Sequence, residues 1–275
     1  MKQNFKRLLF ILAAAVFLYA SCKRANAPSV SNTTQAVDFK ALSSQIGTQF
    51  YKSITGQYGG TDVNKGITLP HEAAFAANKK FSLNSVVPLC GTVIDTTYQT
   101  LTGVDPKMDT IKSHFENFHF VYTCDAGVVD GYLVRDSLVN KNFRDGDLIT
   151  DIYAITQNYA VKALDQTYKY VSMDGSLSSL VGTGSGEAQT SNTTASIYYL
   201  VGLRVNFASG PADITAGTTS FKTTTTEYNL IQSPIKHITT YYGTIQYLGN
   251  HKAKITFIPG AAYIVDLITG VVTPA

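Results

Sequence analysis

The side chains of this chain that could do chemistry are few and dispersed. Histidines stand at 71, 114, 119, 237 and 251. His71-Glu72 opens like the helix of a zinc protease, but Phe75 stands where the second histidine of that motif belongs. His114 and His119 are five residues apart, so on one strand they would point to opposite faces. His237 and His251 flank a C-terminal hairpin and could approach each other across it. Six aspartates, Asp125, Asp130, Asp136, Asp145, Asp147 and Asp151, lie in one short stretch. Asp145 and Asp147 could offer hard oxygens to calcium. The spacing is not that of an EF-hand, because Lys141 and Phe143 occupy the upstream ligand positions, and aspartates also serve ordinary turns.

Two nucleophile patterns fail on context. Gly182, Gly184 and Gly186 surround Ser185, but no helix start follows to make a phosphate loop, and Thr183 and Glu187 take the glycine positions of a nucleophile elbow. Residues 181–194 are therefore expected to be a mobile loop. Ser233 and Lys236 match S-x-x-K, yet they precede a strand and no K-T-G follows. These failures predict a protein that is not an enzyme, with no catalytic residue, no catalytic metal and no cofactor.

The N-terminus is more informative. Lys2, Lys6 and Arg7 precede Leu8 to Ala20, an apolar run of 13 residues. That is long enough for a signal peptide core and short of the roughly 18–20 residues that span a bilayer. The run ends Leu18-Tyr19-Ala20-Ser21-Cys22. This junction resembles the lipobox of bacterial lipoproteins cut by signal peptidase II. Ala20 and Ser21 fit it, while Tyr19 departs from the usual aliphatic residue, with Leu18 one position further back. The resemblance implies a signal peptide at 1–21 and, at Cys22, a diacylglyceryl group and an acylated amino terminus, palmitate-like chains included. Several such chains anchor a protein firmly, at ~0.8 kcal/mol per buried CH₂. Lys23 and Arg24 follow rather than an acidic residue, which in such lipoproteins favours the outer membrane, periplasmic face, over display at the cell surface.

Cleavage also changes the charge. Taking Lys2, Lys6 and Arg7 from the 22 Lys and Arg leaves 19, equal to the 19 Asp and Glu. A mature chain without net charge has no basic field for phosphates, so nucleic acid is not an expected partner. With Cys22 lipidated, Cys90 and Cys124 remain, and two cysteines in an oxidising compartment usually pair.

These features need a scaffold. Residues 22–37 read as the lipidated cysteine and a flexible polar tether. Asp38 can cap a helix over 38–55, in which Phe39, Leu42, Ile46, Phe50 and Ile54 form one apolar stripe. A short second helix is expected over 71–80. From about Ser85 the apolar period becomes two, giving strands at 91–98, 117–124, 128–139 and 148–159, with a bulge or helical turn near 164–170. Thr193, Ala195, Ile197, Tyr199, Val201, Leu203, Val205 and Phe207 predict a long strand with that face buried. Gly249-Asn250 joins strands 238–247 and 252–258, with Ile238, Thr240 and Tyr242 facing inward on the first, and a further strand covers 262–268. The expected fold is mainly β: one β-rich domain over 38–275, an antiparallel sandwich or curved open sheet with an N-terminal helix.

Taken whole, the chain resembles envelope lipoproteins of Bacteroidota, which implies no particular activity. The reading is a membrane-anchored extracytoplasmic lipoprotein with a non-catalytic binding or envelope-assembly role, and an envelope protein or glycan as partner. Two alternatives stay open. A carbohydrate-binding module would set exposed tyrosines in a row on one sheet face, since aromatic faces suit sugars, although the absence of Trp weighs against it. A hydrolase would need His and Asp converging with Ser or a metal from distant positions.

Overall fold

The computed structural model describes residues 37–67, 90–102, 110–144, 149–208, 210–258 and 260–275. Cys22, the 71–80 helix, His71 and the candidate calcium ligands Asp145 and Asp147 lie outside them. The described domain, which begins at Asp38, is one helix, α1 (Phe39–Ile54), a 3₁₀ turn (Val63–Lys65) and eleven strands. The strands are β1 (Val93–Thr102), β2 (Thr110–Asp125), β3 (Val128–Arg144), β4 (Ile149–Ala163), β5 (Tyr170–Ser185) and β6 (Thr190–Asn206). They continue as β7 (Asp213–Asn229), β8 (Lys236–Gly249), β9 (Lys252–Ile258), β10 (Ala262–Asp266) and β11 (Val272–Pro274). Each strand pairs antiparallel with the next in one eleven-stranded meander, and the sheet is not closed.

Helix α1 begins where Asp38 accepts a hydrogen bond from the Ala41 N–H at 3.0 Å, covering one orphan donor of the first turn. Its stripe of Leu42, Ile46, Phe50 and Ile54 is buried against the sheet. Gln45 donates to Thr194 of β6, and Phe50 packs edge-on to Tyr198 of the same strand. One residue past Ile46, Gly47 lies against Val265 of β10 and Ile255 of β9, so close that a Cβ there would sit 3.1 Å from the valine methyl. Strands three or four places apart would be about 14–19 Å apart in a flat sheet, wider than a helix. The sheet therefore curls around α1, which makes it the curved open form rather than a sandwich.

Helix and strand order follow the alternation of the sequence, but the assignment of faces differs on β6 and β8. On β6 the inward residues are Thr194, Ser196, Tyr198 and Leu200, while Ile197, Tyr199 and Val201 are 41%, 55% and 61% exposed. The cause is a bulge. Between Val201 and Arg204 the strand takes three steps to two on β7, and Gly202 there has φ +57°. Past the bulge Leu203 and Val205 turn inward, so the odd-numbered apolar face is buried only at its end. On β8 the inward residues are Gly243, Ile245 and Tyr247, whereas Ile238 and Tyr242 are exposed.

Two strands keep their apolar alternation too briefly to betray their length: β5 buries Val171, Met173 and Leu177 and then Ser179 and Gly182, and β7 sets Phe221 between threonines. Residues 170–185 form β5 and a tight turn leads into β6, so the expected mobile loop is largely strand. Gly182 is required there because Thr193 and Ile152 cover it from both neighbours; a Cβ would lie 2.7 Å from the threonine methyl. Strand β7 buries Thr219 and Thr223 beside Phe221, and their hydroxyls bond Tyr247 and Ser196, each at 2.9 Å. The expected irregularity near 164–170 is the β4–β5 turn, where Tyr168 has φ +56°.

Candidate functional site

At one end of strands β1 to β4, beside the segment that follows α1, lies a pocket of about 480 Å³. It is lined by Gln57, Tyr58, Thr100, Lys112, Ser113, His114, Asn140, Asn142 and Tyr153. Register explains the gathering: Thr100 pairs with His114, His114 with Asn140, and Asn140 with Tyr153 across four strands. Tyr58 arrives from the other side because Asn140 Nδ2 donates to its carbonyl at 2.9 Å. Its ring stacks on Tyr153, with centroids 5.2 Å apart and planes 22° from parallel. Tyr98 lies against the His114 ring at 5.4 Å. Burial, and then the neighbouring Tyr153, raise the Tyr58 phenol above its usual range.

His114 forms the floor. With Asn140 Nδ2 committed to Tyr58, Asn140 Oδ1 faces His114 Nδ1 at 2.5 Å, so that nitrogen carries a proton. Nε2 lies 3.2 Å from Glu116 Oε2. Both ring nitrogens are thus engaged with the protein, leaving no free lone pair to take a proton from a hydroxyl or bind a metal.

Behind the histidine is a buried carboxyl pair. Glu116 is fully buried on β2 and Asp136 is 2% exposed on β3. Glu116 Oε1 and both Asp136 oxygens lack a hydrogen-bond partner. Burial, and then the Glu116 charge, push the Asp136 carboxyl up to about 8. The nearby Thr61 and Ser137 amides pull it down, though neither completes a hydrogen bond to it; the Thr61 N–H goes instead to Gln157 Oε1 at 2.7 Å. Gln157 Nε2 donates to the carbonyls of Ser53 and Thr61, tying the end of α1 and the following loop to β4. Gly60, with φ +78°, packs onto this group: a Cβ would lie 2.9 Å from both Asp136 Oδ2 and Gln157 Oε1.

The other singled-out residues fall elsewhere. His119 is on the outer face, opposite His114, and pairs with Asp95 directly across β1 and β2. His237 and His251 do not meet, because they sit at opposite ends of β8, roughly 40 Å of strand apart. His251 lies in the β8–β9 turn against Tyr51, and its N–H and that of Asn250 donate to Asp213 at 2.8 Å each. Cys90 and Cys124 are joined as a disulfide, with Cα atoms 5.6 Å apart. Ser233 is exposed in the turn before β8. The exposed Tyr199 and Tyr242 share the outer face but are two strands apart, and Tyr168, Tyr170 and Tyr228 sit at strand ends, so these five form no row. Glu116, Asn140, Asn142, Tyr58 and Tyr153 were not singled out by the sequence. For Glu116 the signal was present: it stands directly ahead of Phe118, Phe120 and Tyr122 on the same face, a charge in line with the inward series.

A second, larger concavity of about 910 Å³ lies at the end of the sheet bearing the β2–β3, β4–β5 and β6–β7 turns. Ile67, Val128, Val129, Tyr168 and Phe207 line it. Among the described residues no helix is long and apolar enough to cross a membrane, and no group of three or more His, Cys, Asp or Glu is placed to hold a metal ion. No protein-family model, no curated protein and no solved structure matches this chain.

Proposed function

We propose that the chain is an extracytoplasmic lipoprotein, anchored through Cys22 to the outer membrane on its periplasmic face, whose β domain works by binding rather than catalysis. Support for the anchor comes from the basic start, the 13-residue apolar run and the Ala20-Ser21-Cys22 junction. The binding reading rests on one observation: the pocket combines stacked aromatic rings and side-chain amides with a histidine whose two nitrogens are both occupied. Such walls fix a ligand's orientation and offer no free base to activate a nucleophile.

The test has two arms. Fractionation should place the native protein in the membrane and in the detergent phase, and Cys22→Ala in the soluble phase; equal partitioning of the two rejects the anchor. A ligand-observed NMR screen of a small-molecule fragment mixture should find binders that are recovered unchanged and are lost in Tyr153→Ala. Turnover of a bound fragment, or no pocket-dependent binder, rejects the binding role.

A further inference from the structure

We infer that the pocket between Tyr58, Tyr153 and His114 takes a neutral sugar residue. The inference rests on the binding reading above and adds the ligand class. A pyranose has an apolar face of C–H bonds and an edge of hydroxyls that both donate and accept. A site for it therefore needs a ring face beside groups that do both, without strong charge. The Tyr58–Tyr153 stack supplies aromatic surface at the wall. Around it stand the amides of Gln57 and Asn142, whose side chains have no hydrogen-bond partner among the described residues, with Thr100 and Ser113 adding hydroxyls. An amide presents an acceptor and two donors, enough to engage adjacent hydroxyls. The volume of about 480 Å³ lies within the range of small-ligand sites.

The electrostatics select against an acid. Among the described residues, Lys112 is the one lysine or arginine in the lining and is exposed, so water screens it. Directly behind His114 lies the buried Glu116, whose carboxylate an anionic ligand would meet in a poorly screened region, and the neighbouring buried Asp136 adds no positive charge to offset it. The pairing of His114 with Glu116 leaves the floor without an uncommitted positive charge.

The experiment is saturation-transfer NMR on the full mature protein in detergent micelles. The probes are methyl glycosides of a neutral hexose, a deoxyhexose, an N-acetylhexosamine and a uronic acid, at millimolar concentration. At least one uncharged glycoside is expected to bind, with the uronic acid weaker. Gln57→Ala and Asn142→Ala change partly exposed side chains and should keep the native melting point, yet weaken binding roughly tenfold each through lost hydrogen bonds. Tyr153→Ala should abolish it. Binding that survives all three substitutions overturns the inference, as does preferential binding of the uronic acid. If no glycoside binds while fragments still bind in a Tyr153-dependent way, the sugar assignment falls and the binding role stands. If neither class binds, both fall.

Discussion

Replacing Asp136 with asparagine should make the protein more stable at neutral pH, and by a margin that pH controls. The carboxyl is 2% exposed, has no hydrogen-bond partner and faces the Glu116 charge, which together push it up to about 8 from an ordinary value of 3.8. Native Asp136 is therefore largely protonated at pH 7, while the unfolded chain ionises it freely. A raised native value means its contribution is fully present below about pH 4 and is eroded as pH climbs toward 8. Each unit of difference is 1.36 kcal/mol, so at pH 7 the cost is on the order of 4 kcal/mol. Asparagine has nearly the same shape, cannot ionise, and can turn its NH₂ toward the unpartnered Glu116 Oε1. For a domain of this size, 4 kcal/mol corresponds to a melting point higher by about 8–16 °C. Thermal melts of both proteins from pH 4 to pH 9 should show little difference at the acid end and a gap that widens to pH 8, then levels. A gap independent of pH, or an asparagine variant less stable at pH 7, would refute the reasoning.

Three other perturbations test the scaffold. Gln157→Leu strands the Thr61 N–H and the Ser53 and Thr61 carbonyls in the core, and at about 1–3 kcal/mol per orphaned group it should lower stability by at least roughly 3 kcal/mol in chemical denaturation. Cys90→Ser with Cys124→Ser opens a loop with sequence separation 34 and should cost about 4 kcal/mol in the chain-entropy account, with the native protein showing a similar drop under reductant. Truncation after Asn250 removes Ala253, Ile255, Phe257, Val265 and Leu267, all buried in the core, and exposes an edge at β8; loss of soluble protein is expected, and an unchanged melting point would make these strands peripheral.

The helix and most strands were legible because their apolar periods are clean. Asp38 caps α1, and Leu42, Ile46, Phe50 and Ile54 face the sheet as their spacing requires. On β6 the face failed because a single extra residue at Gly202 changed the count; on β8 Ile238 and Tyr242 lie on the outer face in unbroken register with β7, opposite Gly243, Ile245 and Tyr247. Strands β5 and β7 were hidden because Ser179 and Gly182 follow Val171, Met173 and Leu177 on the inner face of β5, while Thr219 and Thr223 flank Phe221 on β7 and depend for their burial on partners from other strands. The pocket could not be read from spacing at all, since Tyr58, His114, Asn140 and Tyr153 meet only through the register of β2, β3 and β4. Its buried polar groups did leave a trace. Asp136 and Gln157 each interrupt an inward apolar alternation, Asp136 between Val134 and Leu138 and Gln157 between Ile155 and Tyr159, and Glu116 stands at the head of the series Phe118, Phe120 and Tyr122.

Where the chain is held is reported most directly by its mature N-terminus. Mass spectrometry of the N-terminal peptide, from protein purified out of its own membranes, should find residues 1–21 removed and Cys22 at the terminus, with the added mass of a diacylglyceryl group and a further acyl chain. An unmodified Cys22, or a peptide that still carries Lys2 to Ser21, would contradict it.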